Sequence, residues 1–161
     1  MAIPYKTKQV LVLRHKYPNP NGGPRKLRTG KYVAQGAHAC MKVFFDRKLT
    51  LTAALESRVQ FAIELLQTLL GPCLIIPLSP EMDEWVNGTF AKVVLSVKTE
   101  EDLMTIYKQA QEAEIPVALI EDVGNTEFHG VTTRTAVALG PAKAEDIDKI
   151  TMHGTVQTSL M

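Results

Sequence analysis

Four polar residues fall at helical spacing in the first third of this 161-residue chain: Lys31, Gln35, His38 and Lys42. At i, i+4, i+7 and i+11 they form one stripe on a helix, and two of them are cationic. A lysine near a helix start is unexpected, because the backbone dipole there favours anions. A phosphate or carboxylate partner would use both the ammonium and the free backbone N–H groups. The plainer reading is a solvated lysine. His38 can carry a proton near neutral pH or simply hydrogen-bond at the surface. Far along the chain, Asp122 follows the apolar run VALIE, 117–121. A carboxylate that opens a loop at the carboxyl end of a strand is placed for catalysis, and competes with the reading of an Asx turn. Thr126, Thr132, Thr133 and Thr135 offer hydroxyls to an oxyanion or phosphate, but threonine is also common in turns and strands. Cys40 falls on the apolar side of its helix and reads as core. No serine sits in a GxSxG elbow. Trp85 reads as packing rather than as a base-stacking platform. The four histidines, at 15, 38, 129 and 153, have no partner at zinc spacing, so no metal is expected.

The elements that must position these residues follow from pattern. QVLVL, 9–13, is short and apolar and reads as a central strand. YPNPNGGPRKLRTG, 17–30, is a loop broken by proline and glycine. A helix follows at about 31–45, with Val33, Ala37, Cys40, Met41 and Phe44 expected to face the core and Gly36 to permit close packing. A second helix is expected over about 53–70. Its apolar face would be Leu55, Val59, Ala62, Ile63, Leu66 and Leu70. Gly71-Pro72 stops it. Ser79-Pro80-Glu81 starts a short third helix. Ala91–Val97 is a strand, and Thr99 with Asp102 makes a capping-box pattern for the next helix. With the strand at 117–121 this is a βαβ unit, which predicts parallel strands. TAVAL, 135–139, is a strand expected to end at Gly140-Pro141. A last helix covers about 142–150, and the tail reads as frayed. The expectation is a single-domain α/β sandwich over 1–161, in three layers, with helices on both faces of a mixed sheet.

Composition narrows the class. Apolar residues make up 45% of the chain and charged ones 22%, an ordinary globular balance. No apolar run is long enough for a membrane span and no secretory signal is visible, so a cytoplasmic protein is expected. Two cysteines, Cys40 and Cys73, read as reduced thiols. The net charge of +1 hides an asymmetry: residues 1–50 hold eleven Lys and Arg against Asp46, while the rest holds seven against sixteen acids. Such a basic first third suits a polyanion, unless folding intermixes the charges. There is neither GxxxxGK[ST] nor GxGxxG after the first strand.

Four segments resemble the second, archaeal/eukaryotic-type family of peptidyl-tRNA hydrolases: KQVLVLR, TGKYVAQGAHA at 29–39, KVVLSVKTEEDLMTIYKQA at 92–110, and IEDVGNTEFHG with TRTAVALGP at 120–141. The second and fourth carry the likeness together. Thr29 stands where the family often has a second lysine. The 49–84 region looks expanded, and 128–134 looks one residue longer and lacks a proline-glycine. These departures suit a divergent bacterial or phage-like member. The resemblance implies a mixed four-stranded sheet, a chain that can form a homodimer, no cofactor or metal, and hydrolysis of the ester between a peptide and the terminal ribose of tRNA. Its functional positions match Lys31, Gln35, His38, Asp122 and Thr126. In that chemistry Asp122 would orient or deprotonate water. Lys31 and Thr126 would stabilise the oxyanion, and Gln35 and His38 would position water or the terminal adenosine. Arg25, Lys26, Arg28 and Lys42 would hold acceptor-stem phosphates. Two alternatives remain at this level: an RNA-binding module of the same fold without hydrolysis, and a hydrolase of the same fold acting on another ester or amide.

Overall fold

The computed structural model describes residues 5–19, 22–47, 57–72 and 74–161, with side chains described from 61 onward in the second helix. The elements are β1 (Thr7–Arg14), α1 (Thr29–Phe45), α2 (Ser57–Leu70), α3 (Pro80–Asn87), β2 (Lys92–Val97), α4 (Glu100–Glu112), β3 (Val117–Asp122), β4 (Thr133–Lys143), α5 (Ala144–Thr151) and β5 (Ser159–Leu160). The sheet order is β3-β4-β1-β2-β5. β1 runs parallel to β2 and antiparallel to β4, and β4 runs antiparallel to β3. The sheet is therefore mixed. β2 and β3 share a direction but are not neighbours, because β4 and β1 lie between them. The four expected strands are present. A fifth, of two residues, pairs the tail with β2, and Met161 N–H reaches the Val94 carbonyl at 3.2 Å. The tail is docked rather than frayed.

Side chains alternate between the two faces of the sheet. Val10, Val12, Leu95, Val97, Val137 and Leu139 pack under α4 and α5. Leu11, Leu13, Ala118, Ile120, Ala136 and Ala138 pack under α1 and α3. This makes three layers around β1, which is buried along its whole length. The helix signals are realised. Ser79 accepts from Met82 N–H, and Thr99 and Asp102 form the reciprocal capping box. Trp85 is buried, with its indole N–H donating to the Ala91 carbonyl at 2.8 Å.

Three expectations are corrected. The buried face of α1 is Tyr32, Gln35, Gly36, Ala39 and Val43, while Val33 is 68% exposed and Met41 is also exposed. The helix is rotated by about one residue from the apolar count, because the polar Gln35 is inside. Gly36 lies beside Leu11, but a Cβ there would meet Leu11 only at an ordinary 3.6 Å, so packing does not demand glycine. Among the described side chains of the expected α2 face, Ile63 is buried while Ala62, Leu66 and Leu70 are exposed, and Phe61, Leu65 and Leu69 are exposed too; Val59 lies outside the described side chains. Leu55 and the 53–56 part of that helix lie outside the described residues, as does Cys73.

β4 does not end at Gly140-Pro141. It continues by a bulge in which those two residues oppose Gln9 alone, where the missing N–H of proline interrupts no regular pair. Gln9 donates to the Gly140 carbonyl at 3.2 Å and accepts from Cys40 Sγ at 2.8 Å. A second bulge leaves Thr135 without a partner between Ile120–Ala136 and Glu121–Arg134.

Two leucines report on this packing. Leu103 is fully buried under the sheet, so Leu103→Ala is expected to cost about 2–5 kcal/mol. Leu69 is 70% exposed, so Leu69→Ala is expected to change stability by less than about 0.5 kcal/mol. Urea denaturation of both variants checks the pair, and a large loss from Leu69→Ala would show that α2 is packed.

Candidate active site

α1 crosses the sheet so that its first turns lie over the carboxyl end of β3. The result is an open cleft of about 340 Å³ whose lining includes Lys31, Gln35, His38, Asp122 and Thr126. All five residues that the sequence marked for chemistry meet there. The Lys31 ammonium forms an ion pair with Asp122 and also donates to Thr126 Oγ1 at 3.2 Å. Gln35 Nε2 donates to Asp122 Oδ2 at 2.7 Å. The other carboxylate oxygen accepts from Gly124 N–H at 2.8 Å. The Asx-turn reading of Asp122 is thus realised, and the same carboxylate lines the cleft. His38 is exposed at the cleft, one turn beyond Gln35.

Gln35 is only 3% exposed. A buried amide needs partners at both ends. Thr135 supplies the second one: its hydroxyl donates to Gln35 Oε1 at 2.7 Å, which turns the amide N–H toward Asp122. Thr135 can do so because the bulge in β4 aims it at α1. Its hydroxyl is buried and engaged, so it is not one of the donors open to substrate. Thr133 Oγ1 donates to the Val131 carbonyl, and Thr132 is exposed.

Burial would raise the pKa of Asp122. The Lys31 ammonium, the Gly124 N–H and the Gln35 amide outweigh it and hold the carboxyl below its ordinary value. Asp122 is therefore ionised across the physiological range. The Lys31 charge at the start of α1, unfavourable against the helix dipole, is compensated by this carboxylate. Cys40 plays no such part. Burial pushes its thiol up, against a weaker opposing effect of Lys92, so it stays protonated and bonded to Gln9.

The loop before α1 is tied to the loop after β3 by Glu127, a residue that sequence reasoning passed over. Its buried carboxylate lies 2.9 Å from Arg28 Nε and 3.6 Å from Arg25 Nη2, and its carbonyl accepts from Arg25. Only its position directly after Thr126 could have marked it. Arg28 remains largely exposed despite the pair, and Lys26 is exposed with no acidic partner among the described residues. Lys42 pairs with Asp46 on its own helix at 2.7 Å. It lies eleven residues beyond Lys31, roughly 16 Å along the axis. The cations of the first third are thus not one continuous track. Among the described residues no three His, Cys, Asp or Glu side chains converge on a metal-sized site. No described helix is long and apolar enough to cross a membrane.

The family described as Peptidyl-tRNA hydrolase PTH2 matches residues 7–155. This chain belongs to that family. As a member of the peptidyl-tRNA hydrolases it is an enzyme that cleaves the ester bond between peptide and tRNA. Among its relatives, a peptidyl-tRNA hydrolase of Methanocaldococcus jannaschii is 36% identical over 124 residues, covering 77% of this chain and 84% of that one. One from Methanopyrus kandleri is 30% identical over 144 residues, covering 89% and 92%. One from Thermococcus onnurineus is 30% identical over 153 residues, covering 92% and 96%. These relatives are of the archaeal/eukaryotic type.

The depressed pKa of Asp122 fixes a pH signature. A carboxyl lowered by folding stabilises the native state above its unfolded value, and that contribution is lost as pH falls through the folded value. The stability advantage of the wild-type peptidyl-tRNA hydrolase over Asp122→Asn is therefore expected to be present in full at about pH 7 and to shrink as the pH falls below the ordinary carboxylate value of about 4. Denaturation curves of both proteins across that range measure it, and an advantage that grew on acidification would contradict the assignment.

Proposed function

We propose that the cleft between α1 and the 122–127 loop is where this peptidyl-tRNA hydrolase performs direct attack by water. The observation that carries the reading is the Lys31–Asp122–Thr126 constellation, braced by Gln35, with the exposed Arg28 held next to it by Glu127. An ammonium has three N–H donors. Asp122 and Thr126 engage two, which leaves one for the carbonyl oxygen of the ester. Thr126 accepts from Lys31, so its own O–H proton is free to donate to the same oxygen. Together they stabilise the charge that develops there. Asp122, with its low pKa, acts as an acceptor that orients the attacking water rather than as a store for its proton. The water oxygen bonds to the carbonyl carbon, the bond to the ribose oxygen breaks, and the proton ends on that oxygen. Gln35 is a positioning residue, since both ends of its amide are engaged within the protein. His38, on the far side of the cleft from the basic loop, holds water or the peptide end.

The partner side of the reading is tRNA. Lys26 and Arg28, with Arg25 behind them, border the N-terminal turn of α1, which has no side-chain cap and no acid in its first turn. That combination suits phosphate. Lys42, paired and distant, has a smaller share than its charge suggests. We read residues 1–161 as one domain with an expanded helical region at 49–84. Thr29 and that expansion support a divergent branch of the family, bacterial or phage-like. The binding-only alternative is weakened by the geometry: phosphate recognition would not need a buried carboxylate on Lys31.

Cleavage of N-blocked aminoacyl-tRNA tests the assignment. Asp122→Asn and Lys31→Ala are each expected to lower kcat at least about a hundredfold with chelator present or absent. Full activity in either variant would remove that residue from the mechanism. For the tRNA side, Lys26→Ala is expected to raise KM several-fold and to flatten the salt dependence of binding, roughly by one counterion. Lys42→Ala should leave that slope in place, and the reverse ranking would move the RNA along α1.

A further inference from the structure

A second hollow, of about 220 Å³, opens beside the cleft, with Pro18, Arg25, Phe128, His129 and Val131 in its wall. Its lining is mostly apolar, with one cation held over one aromatic ring. The Arg25 guanidinium sits 5.6 Å from the centroid of Phe128. The Tyr17 ring packs against Phe128 with centroids 5.1 Å apart and the rings tilted by 49°. Arg25 is fixed in turn by the Glu127 carbonyl and carboxylate.

The hollow and the cleft share one piece of backbone. Gly130 N–H donates to the Gly124 carbonyl at 3.0 Å, and Val131 N–H to the Phe128 carbonyl at 2.9 Å. Gly124 has a φ of +87°, and a Cβ there would lie 2.7 Å from the backbone of Val131, so the loop closes tightly on itself at a position suited to glycine. The residue at one end of this loop is Asp122, whose carboxylate accepts from Gly124. Phe128 follows Thr126 by two residues, about 7 Å of chain at most. That is the order of the reach from the ester-bearing oxygen of a ribose to its own base.

Two parts of the substrate are near enough to enter: the terminal base of the tRNA and the side chain of the amino acid on the ester. The terminal adenine is the same in every mature tRNA. A planar base also gains from stacking on Phe128 and from the guanidinium beside it, whereas an aliphatic side chain gains only burial. We propose that this hollow is the subsite for the terminal adenine of the substrate, stacked on Phe128 next to Arg25. The polarity of the site follows. Nucleic acid approaches over the 25–28 loop at the start of α1, and the peptide leaves past His38.

This inference rests on the reading of the neighbouring cleft as the hydrolytic site. The test uses an RNA minihelix carrying an N-acetyl-aminoacyl ester on an ordinary terminal adenosine, and a second whose terminal ribose lacks its base. Wild-type protein is expected to show KM higher by about five- to 150-fold for the abasic substrate, with a much smaller change in kcat. Phe128→Ala should raise KM for the ordinary substrate and discriminate little between the two. Phe128→Leu keeps apolar bulk against Tyr17 and should lose the discrimination while remaining folded. Equal KM values for the two substrates in wild type would overturn the proposal. So would a penalty that persisted undiminished in both Phe128 variants. A preference for large over small aminoacyl groups that disappeared with Phe128 would assign the hollow to the side chain instead. Failure of the wild type to cleave the ordinary substrate would overturn the hydrolytic reading of the cleft, and this proposal with it.

Discussion

The arrangement of the site depends on one pair of opposite charges, Lys31 and Asp122, largely withdrawn from water. Removing charges from water is expensive unless each finds both a counter-charge and hydrogen bonds. Here every requirement is met by a different element. β3 delivers the carboxylate, α1 the ammonium and the Gln35 amide, the following loop the Gly124 N–H, and β4 the hydroxyl that orients Gln35. β4 also sets the distance. By lying between β1 and β3 it gives α1 a floor on which to cross toward the end of β3. The pair thus couples the position of the first helix to the strand order, and a shift of either would leave a charge unmatched.

The same economy acts on the strongly basic first third, most of whose described cations are paired one by one. Lys8 pairs with Asp148 and Arg14 with Glu100, and Arg134 reaches both Glu100 and Glu121. Lys31 meets Asp122, and Lys42 meets Asp46. The intermixing that competes with a polyanion patch is therefore largely what happens. Among the described residues, the cations that stay available include Lys16, Lys26 and the exposed length of Arg28, the last two beside the uncapped start of α1. Because exposed charges more than a Debye length apart are screened, the charges nearest the reacting ester count most, and the sum over fifty residues counts little.

How far the residues themselves announce this structure differs from level to level. The helix carrying Lys31, Gln35 and His38, the strand before Asp122 and both helix caps are legible because spacing and capping are local properties. The convergence of the five site residues is legible through the family resemblance. The buried face of α1 is not legible from apolar counting, since Gln35 enters the core on the strength of two hydrogen bonds that come from residues 122 and 135. Strand order is not legible either. The βαβ pattern gives β2 and β3 a common direction, but nothing local says that β4 will enter between β3 and β1. Both bulges in β4 escape notice for the same reason: each is defined by what stands opposite it, Gln9 in one case and Glu121 with Ile120 in the other.

These bulges and the Glu127 tether have a common consequence. Thr135 is re-aimed to hold Gln35, and Glu127 clamps the loop before α1 to the loop after β3. In the proposed mechanism, the groups that would face the ester are thus held by the fold before substrate arrives, and would need little reorganisation when charge develops on the carbonyl oxygen. The contrast lies in what the fold leaves open. The cleft is shallow and exposed toward His38, while the structured surfaces cluster on the opposite side, around Arg25, Arg28 and Phe128. A hydrolase whose substrates share one end and differ at the other is best served by that asymmetry, because binding energy used on the shared end orients every substrate alike. On the proposed reading, walls held by the fold toward the tRNA and an open exit toward the peptide are two sides of a single solution, in which orientation is fixed by the invariant part and the variable part is only required to leave.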